Sequence, residues 1–106
     1  MNASTFAALG EPSRLRIVEL LRERSLAVGD LAKALDIRQP QVSKHLRVLR
    51  DAGLVAVERD ARRRINHLRA EAFADIGNWV DSFERLWEER LDRLGTYLQD
   101  TEEEVT

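Results

Sequence analysis

No cysteine occurs in the 106 residues, and only two histidines, His45 and His67, far apart in the chain. Disulfides, thiolate metal sites and cysteine redox chemistry are therefore excluded. The five glycines form no phosphate-cradling loop. With no cysteine and no neighbouring histidine pair, the nucleophile–base and acid–base constellations that catalysis needs are not in view, and an enzyme is not expected. No apolar run approaches the roughly 20 residues of a membrane span. The start, "MNASTFAALGEPSR", has neither the basic beginning nor the apolar core of a signal peptide. The expectation is a cytoplasmic chain with no membrane partner and no cofactor.

A chain of 106 residues is one ordinary domain. At this size a core is marginal unless a further surface is buried with it, so a dimer is expected. The net charge of −2 conceals an asymmetry. Residues 1–70 carry fourteen Lys and Arg against eight Asp and Glu, a net of +6; residues 71–106 carry three against eleven, a net of −8. A basic body is joined to an acidic end.

Periodicity divides the body. "STFAALG" reads as a short helix capped by Ser4 or Thr5 and stopped by Gly10. Glu11 and Pro12 open a second, with Leu15, Ile17, Val18, Leu20 and Leu21 as a broad apolar face. "VGDLAKAL" is a third, with Val28, Leu31 and Leu35 on one side. The fourth lies in "PQVSKHLRVLRDAGLV": Pro40 suits the first turn, Val42, Leu46 and Leu49 form the stripe, and Gly53 ends it. At about 100° per residue, Lys44, Arg47 and Asp51 fall opposite that stripe, with Gln41, Ser43, Val48 and Arg50 beside them. Two helices separated by "DIRQ" match a helix-turn-helix, whose second helix enters the major groove of DNA.

Beyond Gly53, "LVAVE" and "RRINHLR" are β-branched runs joined by "RDAR", the pattern of a hairpin. The fold class that follows is mainly α with a small β-hairpin: a winged helix-turn-helix with a long C-terminal dimerisation helix. Residues 28–52 form the helix-turn-helix, 54–69 the wing, 71–99 the dimerisation helix and 100–106 a frayed acidic tail. On the last helix Phe73, Ile76, Val80, Phe83, Trp87, Leu91, Leu94 and Leu98 recur every three or four residues, with Trp79, Leu86 and Tyr97 widening the stripe. So much apolar surface marks an interface.

The segments "FAALGEPSRLRIVELL", "DLAKALDIRQPQVSKHLRVLRDAGLV" and the "RDAR" hairpin resemble the arsenic-repressor (ArsR/SmtB) family of winged-helix regulators, over residues 5–98. The resemblance implies a homodimer joined by the first and last helices, with Phe6 on the former, which binds a near-palindromic operator and blocks transcription. Four features depart from the family pattern. Where its thiol sensor has cysteines two apart, this sequence has Ala27 and Gly29. The acid-and-histidine metal site of the last helix finds no histidine there, so metal sensing by either motif is not expected. Ala61 stands where the wing turn commonly has glycine, and Arg38 where a small polar N-cap is common. The inducer is left as an unidentified small molecule, a partner protein, or nothing.

Taken alone, Lys44, Arg47 and Arg50 read as a solvated helix face; their place after a helix-turn-helix turns the reading to DNA. Gln39, Gln41 and Ser43 can pair with base edges, whereas Lys44 and Arg47 can also hold phosphates. Of Arg59, Arg62, Arg63 and Arg64, the two nearest the tip, Arg62 and Arg63, are the expected wing contacts. His45 reads as a packed or locally hydrogen-bonded residue and His67 as a strand residue. Glu84, Glu88, Glu89 and Asp92 read as solvated charges rather than a hard-metal site, and Trp79 and Trp87 as dimer core rather than an inducer pocket. A regulator binding a double-stranded operator is the leading function; a winged-helix protein-interaction module without specific DNA reading is the alternative.

Overall fold

The computed structural model describes residues 2–105, with side chains described to residue 100. The elements run α1 (Ala3–Leu9), α2 (Pro12–Glu23), β1 (Leu26–Ala27), α3 (Val28–Leu35), α4 (Gln39–Asp51), β2 (Val55–Asp60), β3 (Arg63–Leu68) and α5 (Ala70–Val105). The chain forms two compact units, one reaching to Phe73 and the other from Ala74 onward. Among the described residues no helix is long and apolar enough to cross a membrane.

Local chemistry explains the boundaries. The cap of α1 is Asn2, earlier than the Ser4 or Thr5 of the sequence reading: in extended conformation its Oδ1 accepts from the Thr5 amide at 3.2 Å. Both hydroxyls donate to that same oxygen from inside the first turn. Gly10 closes the helix at an ordinary φ of −76°. Arg14, reaching back from α2, donates to the carbonyls of Ala8 (2.7 Å) and Ala7 (3.3 Å), satisfying acceptors that a helix C-terminus leaves open. The Glu11 carboxylate in turn accepts the Arg14 amide at 2.9 Å and caps α2, with Pro12 in its first turn.

The two helices of the helix-turn-helix end alike. At α3 the Ile37 and Asp36 amides return to Ala32 and Lys33; at α4 the Leu54 and Gly53 amides return to Leu49 and Arg50. Both are the paired six-to-one and five-to-two bonds of a Schellman ending, which needs positive φ at the residue past the helix. Gly53 supplies it at 79° without steric cost; Asp36 supplies it at 54° with a side chain. Arg38, at the start of α4, makes no side-chain cap bond, as the missing small polar residue implies.

In the first unit α2, α3 and α4 pack around Ile17, Leu31, Val42, Leu46 and Leu49, and Leu54 seals the α4–β2 joint. Each such side chain contributes roughly 1.5–3 kcal/mol relative to exposure. Leu15, expected in the core, is exposed instead, and Leu20 is half-buried. The hairpin is present, joined by a third strand: β1 pairs antiparallel with β3, and β3 with β2. The buried Asn66 amide donates to the Leu26 carbonyl at 3.1 Å, locking β1 to the wing. A two-residue strand is too short to show an alternation, so sequence reading passes over it. The second unit is one helix. It continues to Val105, past the expected end at 99, because its Glu-rich extension has good helix propensity.

Candidate nucleic-acid interface

Helix α4 buries Val42, Leu46 and Leu49. The same rotation turns Gln39, Gln41, Ser43, Lys44 and Arg47 to solvent. Among the described residues none of the five forms an ion pair with a carboxylate. A helix face that offers two amides, a hydroxyl and two unneutralised cations has donors for base edges and charge for phosphates. His45 sits at the margin of the stripe, half-buried, with Nδ1 3.7 Å from the Glu11 carboxylate that caps α2. It has the local role expected of it.

The wing register assigns its arginines to faces. Arg59 lies opposite Arg64, Val57 opposite Asn66 and Val55 opposite Leu68; Asp60 opposite Arg63, Glu58 opposite Ile65 and Ala56 opposite His67 make up the other face. Val57, Asn66 and Arg64 line a hollow with Ser43, Leu46 and Arg50 of α4, so the face carrying Arg59 and Arg64 is the one turned to the helix. Arg63 is on the other face, and its Nη2 donates to Asp30 Oδ2 of α3 at 2.6 Å. Arg62 occupies the exposed tip.

Of the two expected wing contacts, Arg62 is at the tip and Arg63 is engaged by a carboxylate. Arg64 lines the hollow beside α4, and Arg59, its cross-strand partner, shares that face of the wing. The residues "RDAR" mark a hairpin but do not by themselves fix the parity of its strands. The pairing of Asp60 with Arg63 leaves only Ala61 and Arg62 in the loop and settles which arginines share a face. His67 is a strand residue, with Nε2 3.3 Å from Glu58 across the hairpin.

On α5, Phe73 and Ile76 are half-buried while Val80, Phe83, Trp87, Leu91 and Leu94 are exposed, Trp87 at 61% and Leu91 at 60%. Trp79 and Phe83 meet edge to face, centroids 4.8 Å apart. Phe6 on α1 is 41% exposed. Glu89 is 3.9 Å from Arg93 one turn on, a solvated pair of the ordinary helical kind.

The family model for bacterial regulatory proteins of the arsR family matches residues 11–57, from the cap of α2 into β2. The chain belongs to the arsR family. The transcriptional regulator NmtR of Mycobacterium tuberculosis is 52% identical over 60 residues, which cover 57% of this chain and half of NmtR. The transcriptional repressor SdpR of Bacillus subtilis is 29% identical over 80 residues, covering 76% of this chain and 89% of SdpR. Among solved structures, the homodimeric winged helix-turn-helix DNA-binding domain of a possible ArsR-family regulator from Mycobacterium bovis superposes with a TM-score of 0.65. It is 29% identical, covering 76% of this chain and 74% of that one. This arsR-family chain is thus a winged-helix transcriptional regulator and not an enzyme. The family match takes in the whole of α4 and stops before β3, so the arginines beyond residue 57 rest on the structure alone.

Proposed function

We propose that this chain is a homodimeric, sequence-specific DNA-binding repressor. Helix α4 lies in the major groove, the wing lies over the adjoining backbone, and occupation of the operator blocks transcription. One observation carries the reading: α4 presents Gln41, Ser43, Lys44 and Arg47 exposed and, among the described residues, without carboxylate partners, on a helix anchored by its buried opposite side. The names of SdpR and of the Mycobacterium bovis domain support repression and dimerisation respectively. The dimer uses Phe6 and the α5 stripe from Phe73 to Leu94. Release does not run through the cysteine or last-helix histidine sites of relatives; the signal is an organic molecule or a partner protein, or the repressor answers to no ligand at all.

The test separates specificity from affinity. Gln41→Ala or Lys44→Ala is expected to cost on the order of 1–3 kcal/mol on the operator and to relax preference at particular base pairs, measured by fluorescence anisotropy against a panel of substituted duplexes. Random DNA is expected to register much less of the Gln41→Ala change. Unchanged DNA affinity in both variants, with loss of a protein partner instead, would replace this reading with a docking module.

A further inference from the structure

Between α4 and the wing lies a hollow of about 130 Å³, lined by Val28, Ser43, Leu46, Arg50, Arg64 and Asn66, with Val57 at its base. Its floor is apolar or already satisfied: Leu46 is buried, and the Asn66 amide is committed to the Leu26 carbonyl. Its rim is cationic. Arg50 reaches it from the helix, half-buried, and Arg64 from the wing; among the described residues neither forms an ion pair. Arg59 lies directly across the hairpin from Arg64, a like-charge pairing that destabilises an isolated hairpin. By contrast, Arg63 on the other face has found Asp30. Two guanidinium groups at one hollow, with a third on the same face of the wing and, among the described residues, no carboxylate paired with any of them, make a place for an anion.

We propose that this hollow is a slot for a single oxyanion, a phosphate of the DNA backbone, gripped jointly by Arg50 and Arg64 with the Ser43 hydroxyl as a further donor. The size fits. At about 30 Å³ per water the hollow holds roughly four, room for the oxygens of one phosphodiester. Guanidinium forks match phosphate oxygens two at a time, and an apolar floor strengthens each charge-assisted bond. A phosphate held here ties the recognition helix and the wing to the same point of the duplex and so sets the register in which Gln41 and Lys44 meet base edges. The assignment rests on the DNA-binding reading and adds to it a single shared contact.

Sharing gives the test its signature. Arg50→Met, Arg64→Met and the double variant keep the apolar stems, and their folding is checked by thermal denaturation. Each is titrated with a random duplex between 50 and 200 mM salt. Each single variant is expected to weaken binding by about tenfold or more. Each should also flatten the slope of log K against log salt by about 0.9 per phosphate released. The double variant is expected to flatten it no further, because both arginines hold one phosphate. Arg64→Lys, which keeps the charge and loses the fork, should retain the slope with weaker affinity.

Slopes that fall twice as far in the double variant would assign the arginines to separate phosphates and overturn the slot. Unchanged slopes in these variants while Lys44→Ala still loses operator affinity would overturn the slot and leave DNA reading standing; loss of neither would overturn both. In a second arm the DNA-free protein is titrated with inorganic phosphate while the Arg50 and Arg64 Nε resonances are followed. A saturable shift of both, absent in the double Met variant, supports oxyanion chemistry at the slot. The same shift combined with unchanged DNA slopes would assign the slot to a free oxyanion and overturn the DNA source.

Discussion

Ala61 turns the wing at a φ of 56°, the first position of a two-residue loop in which Arg62 has no positive φ. That combination is the pattern of a II′ hairpin turn, where glycine normally stands because a Cβ is strained there. The glycine common at this place is therefore absent while the conformation it serves is kept. Ala61→Gly is expected to stabilise the domain by about 1 kcal/mol, read as a rise in thermal midpoint with DNA binding retained. Unchanged or lower stability would mean that the turn is not strained. The Asp30–Arg63 pair is a second local case. Both side chains are well exposed, so it contributes at most about 1 kcal/mol. Asp30→Asn should leave stability nearly unchanged while raising affinity for random DNA, since it removes a negative charge and frees Arg63. A steeper salt dependence, by about 0.9 per new phosphate contact, would show that Arg63 reaches the backbone once released; unaltered affinity would show that it does not.

Among the elements, α4 is the one most fully legible in the sequence. The spacing of Val42, Leu46 and Leu49, Pro40 in the first turn and Gly53 past the end all act within a few residues, so the exposed polar face followed directly. Leu46 and Leu49 are nearly or fully inaccessible. Leu46→Ala should therefore cost about 2–5 kcal/mol in denaturant unfolding, because the lining can only partly collapse. A loss below 1 kcal/mol would mean that α4 is not anchored through this side chain. The wing was legible as a hairpin and not as a surface. Which arginines face α4 depends on a loop of two residues rather than four, and a one-residue change of parity exchanges the faces. β1 escaped altogether, since Leu26 and Ala27 are a strand only because β3 offers them partners.

For the whole molecule the decisive quantity is the apolar stripe of α5, whose unit is a single helix with no second layer of its own. In a single chain Leu91 is 60% exposed, so a charge there costs that chain little. Leu91→Glu is expected to shift sedimentation at micromolar concentration from dimer to monomer while far-UV helicity is largely kept. A wild-type chain that is monomeric and still binds its operator specifically would sink the dimer. A two-fold dimer further requires inverted half-sites about 10 base pairs apart or a multiple of that, testable by footprinting. Zinc, cadmium, nickel or arsenite added to the operator complex should leave affinity unchanged; stoichiometric metal binding with release of DNA would place a site among the α5 carboxylates.

The presence of the helices, the buried side of α4 and its polar face were already decided by order along the chain, because i, i+3 and i+4 spacing, caps and glycine stops act locally. The asymmetry of a basic body and an acidic end belongs with them. Packing alone decided that Arg63 is held by Asp30, that Arg50 and Arg64 line one hollow, that Leu15 is exposed, and that Leu26 and Ala27 form a strand. The contacts among these join residues far apart in sequence, Arg63 and Asp30 by 33 positions and Asn66 and Leu26 by 40. A distant juxtaposition leaves no periodic trace in the residues that make it; it arises only when the core has fixed where each element lies.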